Sequence, residues 1–187
     1  MLVVHHLNNS RSQRILWLLE ELGAPYEIKF YQRDATTNLA PPELLAVNPL
    51  GKSPVITDGD ITIAESGAIV DYIQRKYGGG KLGAPAGEAA AEKYREWLHY
   101  AEGSAMLPLM LNLYTGRLGD AAAPLRPRIQ SEMDNHLGYV NTALEGRAMG
   151  QMEKHPNIKA WVERFQARPA YARALEKGGA YNLGPAK

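Results

Sequence analysis

The chain has 187 residues and a formal net charge of +1, so its charge favours neither nucleic acid nor an anionic membrane surface as a partner. It contains no cysteine, which excludes disulfides, thiolate metal sites and protein-based thiol–disulfide exchange. Its five histidines show no metal-ligand spacing, so no metal is expected. No apolar run approaches the roughly 20 residues of a membrane-spanning helix, and no signal-peptide pattern opens the sequence. We therefore expect a cytoplasmic protein.

The first 77 residues alternate between strand and helix patterns. Short apolar or alternating segments predict four strands, over 2–7, 26–31, 54–57 and 61–64. Apolar residues that recur every three or four positions predict three helices, over 11–22, 41–47 and 65–77. The order βαβ, then α, then ββα predicts an α/β domain of the thioredoxin-like type over residues 1–77.

A different organisation follows residues 78–87, which are rich in glycine, alanine and proline and predict a linker. Helical spacing then predicts four helices, over 88–114, over 124–144, around the stripe Ile158, Trp161, Val162 and Phe165, and over 170–177. Pro108 lacks a backbone donor, so a kink is predicted in the longest of them. The sequence therefore predicts an all-α helical domain over residues 88–187.

Ser10 lies at the predicted turn between the first strand and the first helix. With Gln13 three residues later it fits a capping box, which alone would explain the serine. A chemical interpretation is also open, because backbone N–H groups and the helix dipole favour an anion at a helix N-terminus. A thiolate brought by a ligand would be stabilised there by a hydrogen bond from the hydroxyl. Asn9 is a second candidate donor.

A second motif precedes the third predicted strand, in the run Asn48-Pro49-Leu50-Gly51-Lys52-Ser53-Pro54-Val55. Its Gly-Lys-Ser is similar to the end of a phosphate-binding loop, but Ala46 stands where that loop needs glycine and no helix follows. Nucleotide binding is therefore rejected. A cis Ser53–Pro54 bond is predicted, which would leave the backbone of Ser53 able to pair with an extended peptide. The alternative is an ordinary trans proline that opens a strand.

A third motif, Glu65-Ser66, opens the last predicted helix of the first domain. The two side chains are either helix caps or a site for an α-amino acid head group. In the second case, Glu65 would meet the ammonium group, and Ser66 with the helix N-terminus would meet the carboxylate.

Together, the three motifs resemble the N-terminal domain of cytosolic glutathione S-transferases, and the serine-type bacterial and fungal members best. The resemblance is carried by the order and spacing of Leu7–Leu22, Asn48–Val55 and Glu65–Ile69, and returns weakly at Trp161–Arg164 and Arg168–Tyr171. It implies a homodimeric enzyme that binds glutathione as co-substrate and activates it as a thiolate. The thiolate would conjugate to an electrophile or reduce a peroxide.

Position by position, the resemblance implies that Ser10 activates the thiol. No tyrosine lies in the first strand or turn, and the absence of cysteine excludes the cysteine-type classes. The implied glutathione-binding residues are Lys52 for the glycyl carboxylate, Ser53 with cis Pro54 for the cysteinyl backbone, and Glu65 with Ser66 for the γ-glutamyl group.

The second substrate, a hydrophobic electrophile, would lie against the long helix of the helical domain. Candidate residues for its pocket are Tyr100, Met106, Met110 and Tyr114, since methionine suits a promiscuous surface. These residues would otherwise simply pack between helices. A non-catalytic alternative for the whole chain is a transferase-like binding module in protein assembly or stress response. The presence of Ser10 together with the implied glutathione-binding residues favours the enzyme.

The helical domain departs from the family between Leu144 and Pro156, where a buried helix opened by a capping box is expected. The residues present there are too few and too polar to form it. Either the fold is trimmed or residues are missing, and we favour missing residues. A chain break is therefore predicted between residues 148 and 153, at Gly150–Gln151.

Overall fold

The computed structural model describes residues 1–143, 155–179 and 181, which fall into two compact units. The first unit joins Met1–Gly83 to the described residues from Arg168 onward, and the second lies within Ala84–Ala167. The chain break predicted between residues 148 and 153 lies outside the described residues.

A four-stranded mixed sheet forms the centre of the first unit. Its strands are β1 (Leu2–Leu7), β2 (Glu27–Tyr31), β3 (Val55–Asp58) and β4 (Ile61–Ala64). They lie in the order β2-β1-β3-β4, with β1 and β2 parallel and the other two pairs antiparallel. Parallel neighbours need a crossover connection, which α1 (Ser12–Leu22) provides. The predicted thioredoxin-like α/β domain is therefore confirmed.

Helices cover both faces of this sheet. On one face, α1, α3 (Ser66–Tyr77) and α8 (Pro169–Gly178) enclose the main core, which comprises Leu2, Val4, Ile15, Leu16, Leu19, Ile56, Ile69, Tyr72, Ile73 and Ala174. On the other face, Leu7 and Tyr31 pack against Leu44 of the short helix α2 (Pro42–Leu45). Because successive side chains of a strand point to opposite faces, β1 supplies both cores.

The C-terminal helix α8 packs against α1 and belongs to the first unit. The ring of Tyr171 lies edge-on to Trp17, with centroids 5.4 Å apart, and Arg173 Nε donates to Glu20 Oε2 at 2.7 Å. The domain limits 1–77 and 88–187 stay a prediction, and the structure differs from them at this helix. Periodicity alone shows that α8 has an apolar face, but not which surface that face covers.

The second unit is helical, as predicted. It contains α4 (Glu88–Tyr100), a π-helical turn (Ala101–Ala105), α5 (Met106–Thr115), a 3-10 segment (Gly116–Ala122), α6 (Arg126–Ala143) and α7 (Pro156–Gln166). In its core, Leu137 of α6 packs against Ile158 of α7. Within the residues that the structure describes, no helix is long and apolar enough to cross a membrane.

The long helix predicted over 88–114 contains an irregular turn just before Pro108, and the kink at this proline stays a prediction. The irregular turn is π-helical and spans Ala101–Ala105, and Pro108 lies in the first turn of α5. The backbone is right-handed helical at Tyr100, Ala101, Ala105 and Met106, so the π-helical turn lies inside one helical run. Pro108 removes one backbone donor from that run, and the irregular turn lies where its hydrogen bond would have ended.

Candidate functional site

Ser10 lies in the turn between β1 and α1 and is 9% exposed. Its hydroxyl accepts a hydrogen bond from the backbone N–H of Ser12 at 3.2 Å, at the position where α1 begins. The capping box with Gln13 does not form, because Arg11 occupies the N-cap position and the Gln13 amide donates instead to the Ala174 carbonyl of α8 at 2.7 Å. Ser10 therefore holds the helix start in part, through Ser12, and keeps lone pairs and a hydrogen for other partners.

The side chain of Ser10 meets two further hydroxyls. Ser12 Oγ lies 2.6 Å from Ser10 Oγ, and Ser53 Oγ lies 3.4 Å from it on the opposite loop. Ser12 Oγ in turn lies 2.8 Å from Nδ1 of His6, whose Nε2 is 2.8 Å from the Gly178 carbonyl oxygen. The fold thus connects the first two sequence motifs through their serines, and adds a buried histidine that the motifs did not indicate.

The Ser53–Pro54 peptide bond is cis, so this prediction is confirmed. Ser53 Oγ donates to the His5 carbonyl at 2.9 Å and accepts from the Leu7 N–H at 3.3 Å, which fixes the loop to the end of β1. Pro54 is buried immediately before β3, whereas the side chain of Lys52 is exposed. An exposed ammonium group beside this loop can reach a ligand carboxylate without a desolvation cost to the empty site.

Glu65 and Ser66 stand where β4 gives way to α3. Glu65 has a left-handed backbone with φ of 68°, and its carbonyl accepts the first helical hydrogen bond, from Ile69 N–H at 2.9 Å. The carboxylate of Glu65 is exposed and, within the described residues, makes no capping hydrogen bond to α3. Ser66, by contrast, is buried. The carboxylate thus remains available for a ligand cation.

Arg14 is a site residue that the motif analysis did not single out. Its Nη1 lies 3.5 Å from Ser66 Oγ, so the arginine one turn after Ser10 bridges α1 to the start of α3. The available signal was the spacing, because residues four apart share one face of a helix. This contact connects the first motif with the third and adds a cation to the site.

Asn9, the alternative donor, has a left-handed backbone with φ of 48°. Its carbonyl accepts from Arg33 Nη2 at 3.2 Å, while Arg33 Nε donates to the Asn8 carbonyl at 3.0 Å. Arg33, which lies outside α1, therefore stabilises the turn that contains Ser10. The choice between Ser10 and Asn9 as main thiolate donor stays a prediction.

Electrostatically, the site combines neutral buried groups with positive charge at its edge. Burial lowers the pKa of His6, against a hydrogen bond to Gly178 that raises it, so the imidazole is neutral near pH 7. Burial raises the pKa of Tyr181, and the positive charges of Arg14 and Arg11 oppose that rise. Both guanidinium groups therefore lie near Tyr181.

The four residues predicted for the second-substrate pocket lie in the second unit. Tyr100 closes α4, and its hydroxyl lies 2.8 Å from Nδ1 of His136. Met106 and Met110 on α5 are half-buried and Tyr114 is exposed. Their role toward an electrophile stays a prediction. In neither unit do the described residues bring three or more histidine, aspartate or glutamate side chains together as a metal site.

Residues 1–75 match the sequence family described as glutathione S-transferase, N-terminal domain. A solved glutathione S-transferase from Actinobacillus pleuropneumoniae is 31% identical, with a TM-score of 0.83, over 98% of this chain and 95% of that one. This chain belongs to the glutathione S-transferase family. The transferase also shares 48% identity over 106 residues with glutathione S-transferase 3 of Schizosaccharomyces pombe, a match that covers 57% of this chain and 43% of that protein.

Glutathione S-transferase 1 of Saccharomyces cerevisiae is 28% identical to this transferase over 223 residues, and 95% of each chain is covered. That alignment is longer than this transferase, so it includes positions for which the present sequence has no residue. A transferase family member from Pseudomonas fluorescens, solved with two glutathione bound, is 26% identical with a TM-score of 0.74 over 94% of this chain and 92% of that one. The predicted family and enzyme class are therefore confirmed.

Proposed function

We propose that this transferase binds glutathione at the α1 end of the first unit and activates its thiol as a thiolate nucleophile. The observation that carries the proposal is the Ser10 hydroxyl, at the start of α1 and 3.4 Å from Ser53 Oγ beside cis Pro54. A thiol held there meets a hydrogen-bond donor and the positive end of a helix dipole.

The rest of the tripeptide follows from the groups around that point. Ser53, immediately before cis Pro54, would pair through its backbone with the cysteinyl residue, and the exposed Lys52 would meet the glycyl carboxylate. Glu65 would bind the γ-glutamyl ammonium group. Ser66, with Arg14 3.5 Å from its hydroxyl, would bind the γ-glutamyl carboxylate.

The energetic demand on Ser10 is modest. A free thiol has a pKa of about 8.5, so only a few per cent is ionised at pH 7. Lowering that pKa by about two units requires roughly 2.7 kcal/mol, which one charge-assisted hydrogen bond and a helix terminus together can supply. Proximity to a bound electrophile would supply the rest of the acceleration.

In the proposed conjugation, the thiolate sulfur forms a bond to an electrophilic carbon and the leaving group departs with the bonding electrons. In peroxide reduction, the same sulfur attacks the O–O bond, which breaks to release an alcohol and leaves a glutathione sulfenic acid. The thiol of a second glutathione then displaces water from that sulfur and forms the disulfide. The second substrate would contact Tyr100, Met106, Met110 and Tyr114. We expect the active form to be a cytoplasmic homodimer with no nucleic acid or membrane partner.

The test compares the wild-type protein with Ser10→Ala. Turnover of a generic aryl halide should fall roughly ten- to a thousandfold in the variant, because the hydroxyl acts on the thiolate. Glutathione affinity, measured by calorimetry, should change little. Ser131→Ala, at an exposed position of α6, is the matched control and should leave both quantities unchanged.

Two results would contradict the proposal. If the wild-type protein binds glutathione but turns over neither an aryl halide nor a peroxide, the chain is a binding module. If Ser10→Ala keeps the full rate between pH 6 and pH 8, the thiolate donor is Asn9 or a backbone amide.

A further inference from the structure

Three polar side chains form a continuous line from the sheet core to the candidate site. His6, Ser12 and Ser10 are 1%, 0% and 9% exposed. Nδ1 of His6 lies 2.8 Å from Ser12 Oγ, and Ser12 Oγ lies 2.6 Å from Ser10 Oγ. At the inner end, Nε2 of His6 lies 2.8 Å from the carbonyl oxygen of Gly178.

The acceptor at the inner end fixes the direction of every hydrogen bond in the line. A carbonyl oxygen can only accept, so Nε2 of His6 carries a hydrogen. In the neutral imidazole Nδ1 is then an acceptor, and Ser12 donates to it. The one hydrogen of Ser12 is therefore used, whether on Nδ1 or on the Leu7 carbonyl oxygen 3.3 Å from Ser12 Oγ. At 2.6 Å Ser12 must then accept the hydrogen of Ser10, for which Ser53 Oγ at 3.4 Å is the more distant acceptor. Burial lowers the pKa of His6, in keeping with a neutral ring.

This direction has a consequence for catalysis, because the hydroxyl hydrogen of Ser10 points into the protein and away from a ligand. If Ser10 alone turned toward a thiolate, its oxygen and that of Ser12 would face each other 2.6 Å apart without a hydrogen between them. If Ser12 turned to donate to Ser10 instead, Nδ1 of a neutral His6 would face Ser12 Oγ at 2.8 Å without a hydrogen between them. Ser10 can donate to a thiolate with every pair in the line still sharing a hydrogen only if the whole line reverses.

The geometry points to a proton relay in which the glutathione thiol passes its proton through Ser10 and Ser12 to Nδ1 of His6. The S–H bond breaks and its proton goes to Ser10 Oγ, the Ser10 hydrogen moves to Ser12 Oγ, and the Ser12 hydrogen moves to the imidazole. The products are a thiolate that accepts from Ser10 and an imidazolium bonded to Gly178. No proton leaves to solvent. Ser12 and His6 do not touch glutathione and act through Ser10. The relay rests on the proposed function.

The groups around His6 carry no charge that would stabilise a protonated imidazole, so His6 should hold the extra proton only while a thiolate is bound. The imidazole meets Ser12 of α1, the Gly178 carbonyl of α8 and the Phe30 ring of β2, whose centroid lies 4.9 Å away edge-on. None of these three groups carries a charge. His5, the neighbouring histidine of β1, instead bonds Tyr31 and Thr57. The bound thiolate itself would supply the counter-charge for the imidazolium.

Histidine-selective nitrogen NMR of the full wild-type chain tests the relay directly. At neutral pH, the free protein should show His6 as the neutral Nε2–H tautomer. Saturating glutathione should convert it to imidazolium, while S-methylglutathione, which has no thiol proton, should leave it neutral. His5 is the internal reference and should not change. A His6 that stays neutral with glutathione, while the ultraviolet band of the thiolate is present, overturns the relay.

A second measurement uses His6→Gln, because a glutamine amide can accept from Ser12 and donate to Gly178 but cannot take up a proton. The thiolate absorbance of bound glutathione should titrate at higher pH, with little change in glutathione affinity. From a starting pKa of about 6.5, kcat/KM at pH 7 should fall about threefold for the first unit of that rise and about tenfold for each further unit. Ser12→Ala should act in the same direction, and Ser12→Thr should restore part of the effect. His5→Gln is the matched control.

The outcomes separate the relay from the proposed function. If the wild-type chain ionises glutathione and the thiol titrates unchanged in His6→Gln and Ser12→Ala, the relay is overturned and the proposed function stands. If the wild-type chain neither binds nor ionises glutathione, both are overturned. Should the variants fail to fold, the NMR comparison of glutathione with S-methylglutathione in the wild-type chain decides alone.

Discussion

Glu20 is the residue through which α1 holds α8, and its replacement by glutamine is expected to loosen that contact. The carboxylate is 8% exposed and accepts hydrogen bonds from Arg173 Nε at 2.7 Å, from Tyr26 at 2.8 Å and from Lys177. Burial alone would raise the pKa of Glu20, but the hydrogen bonds from Lys177, Arg173 and Tyr26 outweigh it and hold that pKa at about 2.

The structure bounds the size of the effect. A fall in pKa from an ordinary 4.5 to about 2 corresponds to a ceiling of about 3 kcal/mol in folding free energy. Arg173 and Lys177 are each 48% exposed, so water screens their charges. If this screening leaves about half of the 3 kcal/mol, Glu20→Gln should lower the free energy of unfolding of the first unit by about 1.5 kcal/mol at pH 7.

The pH dependence distinguishes this account from a general packing defect. Because the pKa of Glu20 is lower in the folded chain, its contribution is complete above pH 4.5 and is lost as the pH falls toward 2. The stability difference between wild type and variant should therefore shrink between pH 7 and pH 3. Urea unfolding is followed by the fluorescence of Trp17, which contacts Tyr171 of α8, with Trp97→Phe and Trp161→Phe in both proteins.

The matched control is Glu43→Gln, an exposed carboxylate on α2, which should leave the unfolding midpoint within experimental error. A difference for Glu20→Gln that is the same at pH 7 and pH 3, or that is absent at pH 7, would refute the electrostatic reasoning.

Two further substitutions probe contacts that position the site. Asp58→Asn should destabilise the first unit by about 1–2 kcal/mol at pH 7 and less near pH 2 in denaturant titrations. Its carboxylate accepts hydrogen bonds from Lys76 at 2.7 Å, Tyr77 at 2.5 Å and Tyr72 at 2.8 Å, which outweigh burial and hold its pKa at about 2. Gly178→Ala should cost about 1–3 kcal/mol in thermal unfolding, since an added Cβ would lie 3.0 Å from Leu16 Cδ1 and in collision with a buried amide oxygen. Gly138→Ala in α6, whose Cβ would meet nothing within 4 Å, is its control and should not destabilise.

The first unit could be predicted from sequence because its signals are local. The strand Ile61–Ala64, the turn at Gly59 and the helices with one apolar face can each be recognised from a pattern within a few neighbouring residues. The position of Ser10 at the end of β1 follows from these elements, and so does its proximity to Ser53, because β1 and β3 are neighbours in the sheet.

What the sequence did not predict depends on pairing between distant segments. His6 and Gly178 are 172 positions apart, and neither residue type indicates that a carbonyl at the end of α8 would fix the tautomer of an imidazole in β1. The same applies to Gln13, which fits a capping box by spacing but donates to Ala174 instead. Side chains with several acceptable partners choose among them by tertiary packing, which local patterns do not contain.

The hydrogen-bonded line of His6, Ser12 and Ser10 also helps to explain the position of α8. Burying the neutral imidazole of His6 and the hydroxyl of Ser12 is tolerated only because both find partners, and an apolar pair of similar volume would fill the same space without that requirement. The first unit therefore does not need a histidine and a serine at these two positions in order to be stable. The α8 carbonyl at Gly178 completes the line and determines which way each hydrogen points, up to the hydroxyl of Ser10. A helix that begins 92 positions after the last residue of the thioredoxin-like α3, at Pro169, is thus part of the proposed chemistry of the site through a single carbonyl oxygen, even though it contributes no side chain to the proposed glutathione contacts.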